Sequence, residues 1–423
     1  MPVTTPLRLL IVVPPLAGHL LPARALALAW AARGHQVAWV GPESALRPVL
    51  GEEAVLHPTG ARVFREQAVG GAAAVRSLWE GFVVPHTRFT LGAVRRAVEQ
   101  WRPDVVLVDQ HSPAGALAAH GAGVRWATFA PSSLELGEPL RETLGEPLDE
   151  PLGERLGEPL DGPLGEPLGE PVGEPVGGDG ELAAWRDGVL RGLWERAGLP
   201  AAEFADPRFS PGLLIAPTCR ELAGLDRVPD GYALVGPLLA DRPEPPFPWG
   251  RLEPGRRRVL VTMGTLAADV AGGFLHRTAA ALAELPDVQA VVAGPGDAGW
   301  PPDAVVCERV PVLELLERGA VDAVLCHGGM NTVAESLVHG RPLVVAPIRH
   351  DQPVTAGRLA ALGAAVRVDF ATATSSQLHA ALRAVLDDPA FTAAAKLLGR
   401  QLLAGGGAVA AVERLERFAR APR

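Results

Sequence analysis

The sequence predicts an α/β protein made of two doubly wound domains of parallel sheet, facing each other across a cleft. Three observations predict it. Short apolar runs alternate with helical patterns along the chain, the order that builds strand–helix–strand units. Most of these runs are continuously apolar, as strands are when helices cover both faces of their sheet. A stretch at 237–255 holds six prolines and little apolar periodicity, and reads as a semi-rigid linker between two sets of elements.

In the first set, strands are predicted at 8–13, 36–40, 105–108, 126–130, 213–216 and 233–235. The first and third of these are runs of Leu, Ile and Val, residues that suit a pleated, buried surface. A helix is predicted over 22–32, where Arg33-Gly34 supplies the usual stop. In the second set, strands are predicted at 259–263, 290–293, 305–306, 323–326, 343–346 and 365–368. This gives domains at 1–238 and 256–423 joined by a linker at 239–255, with the last helix packing back on the first domain. In such folds ligands bind at the carboxyl ends of the strands.

Composition narrows the function. Among 423 residues there are 48 Gly and 41 Pro, yet 48% of the chain is hydrophobic, too much apolar surface for a disordered chain. Part of the excess is local: 137–176 is ten consecutive tetrads, mostly Gly-Glu-Pro-Leu. Proline in nearly every tetrad excludes a regular helix, so an extended acidic loop is expected. It is either a repeat expansion without function or a cover over part of the cleft. This tract carries the whole formal charge of −9. The remainder is neutral, which argues against nucleic-acid binding. Three separate cysteines, Cys219, Cys307 and Cys326, form neither a zinc set nor a disulfide framework. No apolar run reaches membrane-spanning length, and the first run breaks at Pro14-Pro15. A soluble, cytoplasmic protein is expected.

Three motifs carry chemistry. Pro14-Pro15-Leu16-Ala17-Gly18-His19 follows the first strand and puts His19 at the cleft edge, where an imidazole suits proton removal near neutral pH. The alternative is a histidine packed in a turn. Asp109 ends the 105–108 strand. It either caps the next helix or accepts the far N–H of His19, fixing its tautomer. His111 lies beside it and lines the same pocket. The third motif, Cys326-His327-Gly328-Gly329-Met330-Asn331-Thr332 with Glu335 beyond it, runs strand to glycine turn to helix. The glycines admit close backbone approach, and a helix start offers N–H groups to phosphate. His327 and Thr332 add donors. Glu335 shares a helix face with Asn331 and Thr332, placed to accept ribose hydroxyls.

His327 to Glu335 resembles the nucleotide-sugar motif of glycosyltransferase family 1, whose members include macrolide, flavonoid and carotenoid glycosyltransferases. Plant members have Cys and Trp where this chain has Gly328 and Met330, so the resemblance is to the bacterial macrolide and zeaxanthin branch. It implies the GT-B fold, two Rossmann-like domains facing across a cleft, and transfer of a sugar from a UDP- or dTDP-linked donor. By that resemblance His19 is the base and Asp109 its partner, with Gly18 on the donor side. Gly264 and Thr265 touch the diphosphate with His327, Gly328 and Gly329. Asn331 and Thr332 hold phosphates, and Glu335 holds ribose. Asp351 and Gln352 hold sugar hydroxyls. The segment of Arg309, Val310 and Val312 receives the base, Arg309 standing where plant members stack a Trp.

The implied reaction is an inverting, metal-independent transfer to a hydroxyl of a lipophilic polyketide, carotenoid or aromatic acceptor. No Asp-x-Asp step occurs to hold a metal, and no resident cofactor is expected. Trp79, Phe82 and neighbouring apolar residues line the acceptor pocket or simply belong to the core. The partners expected are a nucleotide sugar and a small acceptor, with the chain a monomer or homodimer. Two other functions remain open at this stage: a sugar-nucleotide epimerase on the same fold, and a non-catalytic partner that binds a sugar nucleotide.

Overall fold

The computed structural model describes residues 5–60, 71–132, 136, 179–240, 242, 244–264 and 271–422. The acidic tetrads at 137–176 and Thr265 lie outside the described residues. In chain order the first domain holds β1 (Arg8–Val12), α1 (Ala17–Ala32), β2 (Gln36–Pro42), α2 (Glu43–Leu50), β3 (Leu56–Thr59) and α3 (Gly71–Leu78). A π-helical turn at Trp79–Val83 continues α3 into α4 (Val84–Trp101), then β4 (Val105–Asp109), α5 (Ala114–Gly121) and β5 (Arg125–Phe129). The domain closes with α6 (Asp179–Arg196), β6 (Leu214–Ala216), α7 (Arg220–Ala223) and β7 (Tyr232–Leu234).

The second domain begins with β8 (Arg257–Thr262), α8 (Gly272–Ala283), β9 (Val288–Ala293), β10 (Val305–Cys307), α9 (Val312–Glu317) and β11 (Ala323–Cys326). It continues through α10 (Met330–Val338), β12 (Leu343–Val345), α11 (Gln352–Ala361), β13 (Ala365–Arg367), α12 (Ser375–Asp387) and α13 (Pro389–Leu403). A last helix, α14 (Gly407–Arg420), ends the chain. Within the linker, Phe247, Trp249 and Leu252 already pack against the second domain's core.

Both sheets are parallel throughout. The first has seven strands in the order β3-β2-β1-β4-β5-β6-β7, the second six in the order β10-β9-β8-β11-β12-β13. Each order reverses once, between β1 and β4 and between β8 and β11. At such a reversal the helices leave on opposite faces and open a crevice at the strands' carboxyl ends. The registers Val12↔Val108 and Cys326↔Thr262 end these central pairs level with each other. The residues that follow therefore share one sheet edge in each domain. The boundaries of the predicted strands fall within two residues of those observed. β3 was not foreseen, because Leu-His-Pro-Thr is not an apolar run. α1 starts at Ala17 rather than at residue 22, so His19 is a helical residue of the first turn.

The chain crosses between domains twice. α14 returns to the first domain, where Ala411, Val412 and Leu415 join the core around Leu26 and Trp30. Glu416 accepts from Arg33 Nε at 2.7 Å and lies 2.6 Å from His35 Nε2. Burial opposes ionisation of Glu416, but Arg33 and His35 hold its carboxyl below the usual range. The two crossings touch each other. Gly407 N–H donates to the Val235 carbonyl at 2.6 Å. Gly236 has φ +69° and no room for a Cβ, which would lie 1.9 Å from the Leu402 carbonyl.

Leu415 is fully buried in the first domain's core although it belongs to the last helix. Leu415→Ala should cost about 2–5 kcal/mol, the usual range for a buried leucine. The check is the denaturant midpoint of the first domain, followed by its own tryptophans. An unchanged midpoint would show that α14 does not stabilise that domain.

Candidate active site

His19 is the third residue of α1, held there because its N–H donates to the Leu16 carbonyl at 3.0 Å. Its Nδ1 lies 2.8 Å from Asp109 Oδ2. Asp109 is fully buried at the end of β4, and its other oxygen accepts from the His111 N–H at 2.8 Å. A carboxylate only accepts, so the imidazole donates from Nδ1 and keeps Nε2 as its acceptor nitrogen. The His19 side chain is 14% exposed, enough to meet a substrate. Burial pulls the His19 pKa down, but Asp109 and then Asp351 outweigh it and hold the imidazole above its ordinary value. The His111 ring sits 5.0 Å from that of His19, tilted by 42°.

Pro22 adds a feature in the same helix. It has no N–H, so the Gly18 carbonyl one turn earlier loses its normal helical donor. Asn331 of the second domain supplies the replacement: its Nδ2 donates to Gly18 O at 3.3 Å. Asn331 was expected on phosphate, and its side-chain amide here bridges the domains.

The facing loop is built at the ends of β8 and β11. Gly264 has φ +75° and Gly328 φ +89°, left-handed conformations that favour glycine. The His327 ring is sandwiched between two glycines: a Cβ on Gly264 would lie 2.7 Å from it and one on Gly329 2.6 Å. Burial holds His327 below its ordinary pKa, and its buried Nδ1 has no partner among the described residues. α10 starts at Met330 with no side-chain cap on Gly329. The first N–H groups of the helix, including those of Asn331 and Thr332, therefore face the cleft without intrahelical partners, a ready anion site.

Asp351 accepts from Ser132 Oγ of the first domain at 3.0 Å. Gln352 Oε1 accepts from the N–H groups of Ile348 and Arg349 at 2.9 and 3.0 Å. The oxygen expected to hold a sugar thus braces its own loop. Glu335 is also engaged. It lies buried on α10, and both its oxygens accept from Arg242. Val312 N–H donates to the Val310 carbonyl at 3.0 Å, and that carbonyl keeps a second acceptor position. Arg309 is exposed beside them.

On the acceptor side the structure corrects one residue. Trp79 is fully enclosed in a core with Leu190, Leu193 and Trp194, so it lines no surface. Phe82 is buried in the same cluster but stacks on His86, with ring centroids 5.3 Å apart. Burial lowers the His86 pKa against the pull of Asp109. Sequence reasoning missed His86, Ser132 and Arg242. The four-residue step from Phe82 to His86 was the one available signal, since it puts both on one helix face.

Among the described residues no helix is long and apolar enough to cross a membrane. Residues 253–400 match the family UDP-glucoronosyl and UDP-glucosyl transferase. Over 193 residues the chain is 35% identical to 4'-demethylrebeccamycin synthase of Lentzea aerocolonigenes, an alignment covering 45% of each protein. It is 29% identical to UDP-glucosyltransferase A1 of Starmerella bombicola over 217 residues, 50% of this chain and 45% of that one. The chain thus spans just under half the length of these curated relatives. Solved structures match almost end to end. The glycotransferase of kitacinnamycin covers 98% of this chain and 99% of its own at TM-score 0.71 and 26% identity. Spinosyn forosaminyltransferase SpnP covers 98% and 100% at TM-score 0.74 and 22% identity. Spinosyn rhamnosyltransferase SpnG complexed with thymidine diphosphate covers 97% and 100% at 0.70 and 24%. The fold is that of GT-B glycosyltransferases, and the sequence match to UDP-glucoronosyl and UDP-glucosyl transferase falls on the second domain.

Proposed function

We propose that this protein transfers a hexose from a UDP- or dTDP-linked donor to a hydroxyl of a lipophilic natural product, with inversion at the anomeric carbon and without a metal or resident cofactor. The observation that carries this reading is the 2.8 Å His19–Asp109 pair set opposite the His327 loop and the start of α10. The names of its relatives, a rebeccamycin-type synthase and spinosyn and kitacinnamycin glycosyltransferases, support the acceptor class. So does the thymidine diphosphate in one solved neighbour for the donor.

His19 Nε2 takes the proton of the acceptor hydroxyl while that oxygen attacks the anomeric carbon. The bond from this carbon to the diphosphate oxygen breaks on the opposite face, and its electron pair leaves with the nucleoside diphosphate. Asp109 stabilises the imidazolium as it forms. The first N–H groups of α10 and the His327 ring meet the charge that builds on the leaving group. Ser132 and Asp351, joined across the cleft, meet the sugar between these two centres.

His19→Ala should lower kcat by about 10²–10⁴-fold, the usual size of general-base catalysis. Turnover equal to wild type would end the assignment. NMR of the product should show the anomeric configuration opposite to that of the donor. In the pH profile of kcat/KM, activity is lost as pH falls through the raised His19 pKa, because the imidazolium cannot accept a proton. Asp109→Asn removes the main raising influence, so the acid limb should move to lower pH while the maximal rate drops. A limb that stays in place would show that another group titrates. Ligating atoms of His19, Asp109 and His111 lie within 4.8 Å of one another, a spacing that also admits a divalent ion. Dialysis against a chelator should leave turnover unchanged; a loss restored by a divalent ion would overturn the metal-free step.

A further inference from the structure

A cavity between the domains is lined by Leu21, Pro22, Arg242, Met330, Asn331 and Glu335 among others. Arg242 reaches it from the interdomain linker. Its Nη1 and Nη2 donate to the two oxygens of Glu335 at 2.7 and 3.1 Å, and its Nε donates to Glu244 at 2.9 Å. The Glu335 side chain is only 5% exposed and that of Arg242 20%. Burial outweighs Arg242 and leaves the Glu335 carboxyl above its usual range, so without Arg242 it would be driven further toward the neutral acid. A charge pair this enclosed strands one partner when the other is removed.

The geometry decides what is left over. A guanidinium is a planar fork that takes one edge of a carboxylate. A carboxylate offers roughly four acceptor positions, so a bidentate fork leaves one open on each oxygen. Adjacent 2′ and 3′ hydroxyls of a ribose present two donors side by side. We propose that Arg242 is a positioning residue for the donor nucleotide: its fork fixes the Glu335 carboxylate so that each oxygen keeps one acceptor position for a ribose hydroxyl. The inference rests on the reading of Glu335 as the ribose-binding group and commits the donor to UDP, because the deoxyribose of a dTDP-linked donor has no 2′ hydroxyl. It also makes the linker a working part of the donor site, since the orientation of Glu335 depends on where residue 242 stands.

The test uses the full chain with UDP and 2′-deoxy-UDP as probes, their binding measured by calorimetry, and donor KM and kcat measured in parallel. Wild type should prefer UDP. Glu335→Gln and Arg242→Met should each weaken UDP about tenfold or more, the range for a hydrogen bond to a charged group. The double variant should be no weaker than either single one, because Arg242 acts through Glu335. Arg242→Met should also narrow the preference for UDP over 2′-deoxy-UDP, and raise donor KM more than it lowers kcat. Arg242→Lys keeps the charge without the fork, so it should recover part of the affinity and little of the preference. This variant carries the test alone if Arg242→Met unfolds. Unchanged or tighter UDP binding in the Arg242 variants, or losses that add to those of Glu335→Gln, would overturn the proposal and leave the ribose reading standing. UDP binding unaffected by Glu335→Gln, or a wild type indifferent to the 2′ hydroxyl, would overturn both.

Discussion

The site depends on a topological constraint before it depends on any side chain. A parallel sheet whose strand order reverses must send successive helices to opposite faces, and this opens a crevice at one place on its carboxyl edge. The chain does this twice, beside β1 and β4 and beside β8 and β11. The groups that matter chemically follow those four strands: His19 after β1, Asp109 on β4, Gly264 after β8 and His327 after β11. With the two crevices facing each other, His19 in one domain lies opposite the His327 loop of the other. The residues are short-range consequences of where strands end; their meeting is a consequence of sheet order.

The electrostatics of the cleft then separates two histidines that look alike in sequence. Asp351 pulls upward on both His19 and His327. His19 ends above its ordinary value because Asp109 is hydrogen-bonded to it, whereas His327, between glycines and without a carboxylate in contact, is left to its burial and ends below. The two imidazoles are thereby pushed in opposite directions, His19 toward holding a proton and His327 away from it. The enclosed thiols of Cys219 and Cys326, pushed up to about 11 and about 12 by burial, take no part in this chemistry.

What could be read from the residues alone is whatever one continuous segment carries. The strand-to-helix turns at His19 and at His327–Glu335 each lie on a single stretch of chain, so spacing was enough to find them. The same is true of nearly every strand, since an apolar run is a local property. The misses share a different physical origin. Arg242 finds Glu335, and Ser132 finds Asp351, only after the domains have met. The start of α1 was placed late because a proline reads as a helix beginning. Pro22 instead sits inside the helix, tolerated because the carbonyl it abandons is claimed by Asn331 from the other domain. Trp79 illustrates the opposite error, an aromatic in the right neighbourhood whose ring is wholly used in packing.

The paired crossings between the domains have a mechanical consequence. A single tether would leave two bodies free to swing and twist in every direction. Here the segment after β7 and the segment before α14 run side by side, with Gly236 against Leu402 and Gly407 bonded to Val235. Two adjacent tethers act as an axle: they suppress twisting and leave one soft rotation, about the line through both crossings. A rotation about that line would widen or narrow the cleft while keeping its two lips in register, with His19 opposite the His327 loop.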